Sequence, residues 1–306
     1  MRSRPAGLSP FRVSTKTSSG KVLLSAIALP GLSRRPTALT LPANNAGSSM
    51  TRSIVVAGVS LELEERGQGR PLLFLHAGEG LQPQRAWLDL LARHYRVIAP
   101  HHPGWGNSAL PTWLSSVDDL AYLYLDLAAA LQLDDAILVG ACFGGWVATE
   151  MAVRDTRRVS KLALIDPLGI KVGGVMDRDI ADMHAMTRPE FMRLAWADPA
   201  KGEIDYTQLP ELELAAIARS REAFAVFGWK PYMHNPRLKR WLHRIDIPTL
   251  LLWGAQDGIV STSYGTAWCD EIPGALLEVV ANAGHFPHWE QPEEFADALV
   301  RFIDSK

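Results

Sequence analysis

The sequence has few cysteines and no apolar run of membrane-spanning length. Its 306 residues include two cysteines, Cys142 and Cys269. Two cysteines are too few for a disulfide framework. Neither lies in a Cys-x-x-Cys pair, which excludes a cysteine-rich metal site. No apolar run is long enough to cross a bilayer, so we expect no membrane partner. We expect a cytoplasmic location, because a reactive thiol has to stay reduced.

An excess of charge of one sign is also missing. The chain has 31 Lys and Arg against 33 Asp and Glu, a net charge of −2. This balance indicates neither a nucleic-acid partner nor a strongly anionic substrate. Apolar residues make up 47% and charged residues 21%, which is typical of a globular protein. The length fits one large α/β domain with an insertion, or two small domains.

Acidic residues are absent from the first part of the chain, where the first one is Glu62. Residues 1–49 are rich in Ser, Pro, Arg and Ala, with a short apolar island at residues 22–29. Such a composition fits a targeting segment, a disordered tail, or an upstream extension of a reading frame that starts at Met50. The island is short and begins far from Met1, so we favour the extension or disorder.

The most informative pattern lies at residues 137–145. An apolar run ends in Gly140-Ala141-Cys142-Phe143-Gly144-Gly145, and a helix-compatible segment follows at residues 146–153. Gly-x-Cys-x-Gly between a buried strand and a helix is the pattern of a nucleophile elbow. A cysteine beside glycines is about as often a packing residue, so its interpretation depends on the partners of Cys142.

Strand and helix patterns alternate on both sides of this segment. The predicted strands are 54–56, 59–63, 72–75, 95–99, 137–139, 161–165, 249–253 and 276–280. The predicted helices are 86–91, 117–131, 146–153, 263–271 and 292–302. This alternation predicts a mainly parallel sheet, in which ligands bind at the carboxyl ends of the strands.

The alternation stops between residues 168 and 235. Helical patterns at 180–186, 189–197 and 212–227 predict a helical insertion, and the Met and aromatic residues in it more often form a local core than line a ligand. Any that face a pocket favour an apolar or aromatic acyl substrate. Three arginines could meet a carboxylate, although solvated surface is the safer interpretation: Arg178, Arg188 and Arg193.

Two polar residues follow the last two strands in the order that an elbow requires: nucleophile, acid, histidine. We expect Asp257 to accept a hydrogen bond from His285, whose other ring nitrogen faces Cys142. Asp166 also ends a strand and is the rival acid. His288 is interpreted as a surface or supporting residue. The weaker candidates for the base are His101 and His102.

Backbone N–H groups are expected to stabilise the oxyanion. The predicted donors are Phe143, which follows the nucleophile, and Gly78 in the turn His76-Ala77-Gly78-Glu79-Gly80. A plain tight turn explains this segment equally well in isolation, but its position after a buried strand favours the functional interpretation. The residues assigned to substrate binding are His76, Trp105, Trp196 and Phe286.

Together these motifs resemble the α/β-hydrolase fold family. The likeness covers about residues 53–303 and includes Pro103-Gly104-Trp105-Gly106, Trp253-Gly254-Ala255-Gln256-Asp257 and Gly284-His285. Within that family, the sequence is most similar to the lidded esterase and carbon–carbon-bond hydrolase branch. The resemblance implies an eight-stranded sheet over 50–167 and 236–306, with a helical cap at 168–235 inserted after strand 6. It also implies no cofactor and no metal.

The usual elbow residue of that family is Ser, so Cys142 is a departure. Some dienelactone hydrolases and thioesterase-like members are similar in using Cys, although the former generally lack such a cap. A thiolate leaves a tetrahedral adduct more easily than an alkoxide, which favours thioesters, strained lactones and aryl esters. We therefore expect hydrolysis through an acyl-cysteine, with acyl transfer or a catalytically silent ligand-binding protein as alternatives. A homodimer is left open.

Overall fold

The structure is a computed structural model that describes residues 49–81 and 86–305. Within these ranges eight strands form one sheet in the order β1-β2-β4-β3-β5-β6-β7-β8. The strands are β1 Met50–Val56, β2 Val59–Arg66, β3 Pro71–Leu75, β4 Arg96–Pro100, β5 Ala136–Ala141, β6 Val159–Ile165, β7 Thr249–Gly254 and β8 Leu276–Val280. The prediction for the first 48 residues lies outside the described part of the chain.

The sheet is mainly parallel, as predicted. Strand β2 runs antiparallel to β1 and β4, and each other neighbouring pair is parallel. All six residues of β5 and all six of β7 are buried, because helices cover both faces of the sheet there. The predicted fold class, an eight-stranded sheet flanked by helices, is therefore confirmed.

Eight α-helices accompany the sheet within the described ranges. They are α1 Ala86–Ala92, α2 Val117–Ala130, α3 Phe143–Arg154, α4 Arg188–Ala195, α5 Glu211–Gly228, α6 Thr262–Glu271, α7 Pro287–Glu290 and α8 Pro292–Asp304. The predicted cap of α2 forms a capping box, in which Ser116 and Asp119 each accept a hydrogen bond from the other's backbone N–H. No helix in these ranges combines the length and apolarity needed to cross a membrane.

Helices α4 and α5 lie in the segment between β6 and β7, and we call residues 168–235 the inserted segment. The helix predicted at 180–186 is wrong, because these residues form turns. Their polar groups bond elsewhere: the Ala181 N–H donates to the Ile259 carbonyl at 2.9 Å, and the Ala185 N–H to the Asp182 carboxylate at 3.2 Å. Tertiary and side-chain partners thus replace the helical ladder.

Candidate active site

Cys142 occupies the sharp turn between β5 and α3. Its backbone has φ +51° and ψ −114°, a conformation that L-residues adopt rarely and that marks functional turns. A side chain at Gly140 would collide with the Gly144 carbonyl, and one at Gly144 with the Leu75 carbonyl. The two glycines therefore permit the close approach of strand and helix on which the elbow depends.

The side chains of His285 and Asp257 form a fully buried pair behind this turn. His285 Nδ1 donates to Asp257 Oδ2 at 2.8 Å, and neither side chain has exposed surface. Asp257 Oδ1 accepts the N–H groups of Ile259 at 2.7 Å and Val260 at 3.1 Å, which fixes the carboxylate. The other ring nitrogen of His285 is also buried, and the Cys142 sulfur interacts with this imidazole through charge and hydrogen bonding.

Two neighbours favour the charged form of His285. Burial lowers the pKa of this imidazole, but the Asp257 carboxylate and then the Cys142 sulfur raise it through charge and hydrogen bonding. The pKa of His285 consequently lies well above its usual value. A protonated imidazole beside the sulfur is the arrangement that holds a cysteine as its nucleophilic thiolate.

Asp166, the rival acid, lies beside this pair but does not replace Asp257 in it. It follows β6 with φ +41°, and its Oδ1 accepts the Gly254 N–H at 3.0 Å. Burial and the charge of Asp257 raise the pKa of Asp166 well above its usual value. In this structure Asp257, and not Asp166, accepts the hydrogen bond from His285.

The predicted oxyanion donors lie on adjacent strands. The turn that contains Gly78 follows β3, Phe143 follows β5, and these strands pair directly. Phe143 is the first residue of α3, so its N–H has no acceptor within the helix. The Gly80 N–H donates to the Ala77 carbonyl at 3.0 Å, and the Trp105 indole donates to the Gly78 carbonyl at 2.8 Å. These bonds hold the turn, and the donor roles of Gly78 and Phe143 stay a prediction.

The four residues assigned to substrate binding are all buried: His76 1%, Trp105 1%, Trp196 5% and Phe286 0% exposed. The Trp105 ring stacks on Phe143 at 5.9 Å between ring centroids. The Phe286 ring lies 5.0 Å from His285 and 5.2 Å from Trp196. Aromatic rings therefore lie next to His285 and Phe143, and their contact with substrate stays a prediction.

Three other buried histidines near the turn have pKa values below the usual one, which favours their neutral form. Burial lowers the pKa of His102 to about 3 and that of His76 well below its usual value. Burial, together with the charge of His285, lowers the pKa of His288 to about 3. The surface interpretation of His288 is wrong, because it is 1% exposed among core aromatic rings.

Two glutamates near the site have no sequence signal that we recognised. Glu290 is 2% exposed, and its carboxylate accepts the N–H groups of Gly284 and Ala197, each at 2.9 Å. It thereby joins the loop of His285 to the end of α4. Glu79 keeps exposed surface although protein surrounds it, and this crowding raises the pKa of its carboxyl, whereas the charge of His285 lowers it.

A metal ion has one candidate position among the described residues. Asp166, Asp257 and His285 each place a potential ligand atom within 4.8 Å of the others. However, both Asp257 oxygens and the His285 Nδ1 already take part in hydrogen bonds within the protein. These bonds fit an acid–histidine pair better than a ligand set.

Comparison with known proteins gives a consistent result. The sequence model of the Alpha/beta hydrolase family matches residues 72–298. The chain is 28% identical over 272 residues to the 2-hydroxymuconate semialdehyde hydrolase of Pseudomonas sp. (strain CF600), covering 82% of this chain and 93% of that protein. It is 26% identical over 267 residues to the 2-hydroxy-6-oxo-6-(2'-aminophenyl)hexa-2,4-dienoic acid hydrolase of Metapseudomonas resinovorans, with 83% and 91% covered. The meta-cleavage product hydrolase from Pseudomonas fluorescens IP01 shares the fold, with 24% identity, a TM-score of 0.66, and 83% and 97% covered.

Proposed function

Because the chain belongs to the alpha/beta hydrolase family, we propose that it hydrolyses a small acyl substrate through a covalent acyl-cysteine on Cys142. The enzyme is a hydrolase related to meta-cleavage product hydrolases and esterases. The observation that carries the proposal is the buried hydrogen bond between His285 and Asp257, next to a cysteine on a strand-to-helix turn.

The first half-reaction forms the thioester. The Cys142 thiolate attacks the acyl carbon, a C–S bond forms, and the carbonyl electron pair moves onto oxygen. The N–H groups of Phe143 and Gly78 stabilise that oxyanion. When the adduct collapses, the leaving group departs and takes the proton of the His285 imidazolium.

The second half-reaction releases the acid. Water attacks the thioester carbon and gives a proton to His285, which Asp257 holds in the required tautomer. Collapse of this adduct breaks the C–S bond and returns the thiolate beside the imidazolium. Overall, one water is consumed and one acyl bond is cleaved.

The walls of the site favour an apolar or aromatic acyl group. Phe143 lies among Trp105, Phe224 and Phe227, with ring centroids 5.3 to 6.1 Å away. Burial of an aromatic group against such rings is favourable, and a polar acyl group would leave its hydrogen bonds unmade. Because a thiolate is a good leaving group, we infer that an activated thioester, lactone or aryl ester is the preferred substrate.

Cleavage of a carbon–carbon bond is a second candidate, supported by the relatives named as semialdehyde and dienoic acid hydrolases. The same two half-reactions apply, except that the proton from His285 goes to the carbon that leaves. A vinylogous ketone of the meta-cleavage type is activated, as the cysteine requires.

Intact-mass analysis combined with turnover assays tests the proposal. We expect aryl esters, acyl thioesters or a meta-cleavage product to add an acyl mass to Cys142, and Cys142→Ala to abolish both the adduct and turnover. Cys269→Ser is the matched control and should change neither. Unchanged turnover in Cys142→Ala would refute the mechanism.

The same assays separate the alternatives. Products that contain an added alcohol, amine or thiol would indicate acyl transfer in place of hydrolysis. A silent binding protein would show no turnover and slow alkylation of Cys142 by iodoacetamide near neutral pH. A thiolate paired with His285 should be alkylated much faster than a thiol of ordinary reactivity.

A further inference from the structure

Asp166 is a buried acid that the proposed reaction does not use. It is fully buried at the end of β6, with Oδ1 held by the Gly254 N–H at 3.0 Å. Its own N–H donates to the Leu252 carbonyl at 3.0 Å. These bonds attach Asp166 to β7 just before the chain turns towards Asp257.

The second carboxyl oxygen of Asp166 has no donor to bind. Oδ2 is buried and lacks a hydrogen-bond partner within the described residues. A buried carboxylate oxygen without a donor is strongly unfavourable, whereas a buried carboxylic acid is satisfied if its O–H finds an acceptor. Asp257 offers one, because its carboxylate lies within 4.8 Å of an oxygen of Asp166.

We propose that Asp166 is a neutral carboxylic acid that donates a hydrogen bond to the Asp257 carboxylate, so that one negative charge stands behind His285. Asp166 is a positioning residue: it orients Asp257 and spreads its charge without touching substrate. The role rests on the proposed function, in which His285 is the base.

Electrostatics agree with this assignment. The groups whose charges act on Asp166 are Asp257, after β7, and His285, after β8. Two ionised carboxylates at this separation repel, so one of them holds a proton. Asp257 has two backbone N–H groups and the His285 N–H to stabilise its charge, whereas among residues 49–81 and 86–305 the Gly254 N–H is the one donor to Asp166. The proton therefore resides on Asp166. Burial also favours this, because it raises the pKa of the Asp166 carboxyl.

Substitution of Asp166 by Asn gives a sharp test, because an amide has the shape and donor of a neutral acid. We expect Asp166→Asn to keep kcat/KM within about twofold of the original and to leave the pH profile of Cys142 alkylation unmoved. Asp166→Ala removes the donor and the acceptor of the Gly254 N–H, so kcat/KM should fall about tenfold or more. A loss of the same size in Asp166→Asn, or a shift of its alkylation profile, would overturn the proposal.

Stability against pH provides a second readout. Asp166 is neutral when folded and ionised when unfolded, so the folded state binds more protons above the ordinary Asp pKa. Stability is therefore lost as pH rises from that value. Asp166→Asn removes this loss, and its Tm advantage over the original chain should grow from pH 5 to pH 8. An advantage that is constant or shrinks with pH would contradict a neutral Asp166.

Infrared spectroscopy of the unsubstituted protein keeps the test independent of variant folding. A protonated-carboxyl C=O band should be present at neutral pH, persist in Glu79→Gln and vanish in Asp166→Asn. A spectrum without this band would overturn the proposal. Failure of the proposed function looks different: Cys142→Ala or Asp257→Asn would then keep full turnover, whatever the result for Asp166.

Discussion

The sheet edge and the inserted segment enclose the candidate site in different ways. At the sheet edge, backbone meets backbone: a side chain at Gly254 would collide with the Gly284 carbonyl, just as one at Gly144 would meet Leu75. Helix α5 instead approaches through side chains, with the Phe224 ring against Gly78 and Ala223 against Gly104. Backbone contacts tolerate almost no displacement, whereas side-chain contacts can be broken and remade.

The end of α4 is joined to the sheet edge by backbone hydrogen bonds. The His285 N–H donates to the Ala195 carbonyl at 2.8 Å, and the Gly258 N–H donates to the Leu194 carbonyl at 2.8 Å. Backbone hydrogen bonds thus hold α4 to the sheet edge, whereas α5 meets it through side chains. Cys142 and His285 lie beneath these segments and are each 1% exposed.

Among substitutions at the sheet edge, the largest loss of activity is expected at Asp257. We expect Asp257→Asn to lower kcat by roughly 10⁴-fold, because the amide neither fixes the tautomer of the neutral imidazole nor stabilises the imidazolium by charge. The pKa of His285 should also fall, so the imidazolium loses its proton at a lower pH. The alkaline limb of the pH–rate profile for hydrolysis should therefore shift to lower pH. Asp297→Asn, an exposed change on α8, is the control. An alkaline limb that stays in place would contradict the role of Asp257.

A side chain at the elbow glycine should have the next largest effect. Gly144→Ala forces a methyl group into the Leu75 carbonyl, so we expect the free energy of unfolding to fall by about 3 kcal/mol. The comparison is Gly174→Ala in the inserted segment, where the nearest atom is a flexible Asp177 oxygen at 3.1 Å. That variant should stay within about 0.5 kcal/mol in urea unfolding. Equal losses would show that the sheet edge is no more rigid than the insertion.

The junction between the two regions depends on Glu290. Glu290→Gln turns an amide donor towards backbone N–H groups, so we expect kcat to fall about tenfold while KM changes less. Steady-state kinetics on an activated ester measures the change in kcat and the change in KM separately. Glu293→Gln, at the exposed start of α8, should change neither constant. An effect on KM alone would mean that Glu290 contributes to substrate binding and not to the placement of His285.

The smallest effect is expected at α5, which meets the sheet edge through side chains. Phe224→Leu keeps an apolar side chain, so stability should fall by less than about 1.5 kcal/mol. Leucine covers Gly78 less completely than the Phe224 ring does. We therefore expect a higher KM for substrates with aromatic acyl groups, faster alkylation of Cys142, and a kcat that is nearly unchanged. Phe302→Leu, on the far helix α8, serves as the control for core packing. Slower alkylation would contradict a covering role of the Phe224 ring.

Particular residues show how far sequence reasoning reached. The elbow, the acid after β7 and the histidine after β8 were predictable because each follows a buried strand, and strand ends share one edge in a parallel sheet. The helix at 180–186 was predicted wrongly, since its polar groups bond to Ile259 and Asp182. Glu290 was not recognised, because its acceptor role depends on backbone groups from residues 197 and 284 that only the fold brings together.

The sequence by itself determined the order of strands and helices, the glycines that permit a sharp turn, and the order of Cys142, Asp257 and His285 along the chain. These features are local, and local periodicity and backbone geometry encode them. The tertiary structure decided which acid accepts the hydrogen bond from His285, which histidines are buried, and which second carboxyl lies buried beside that pair. Those properties depend on burial and on charges from distant segments, and the unfolded chain has neither.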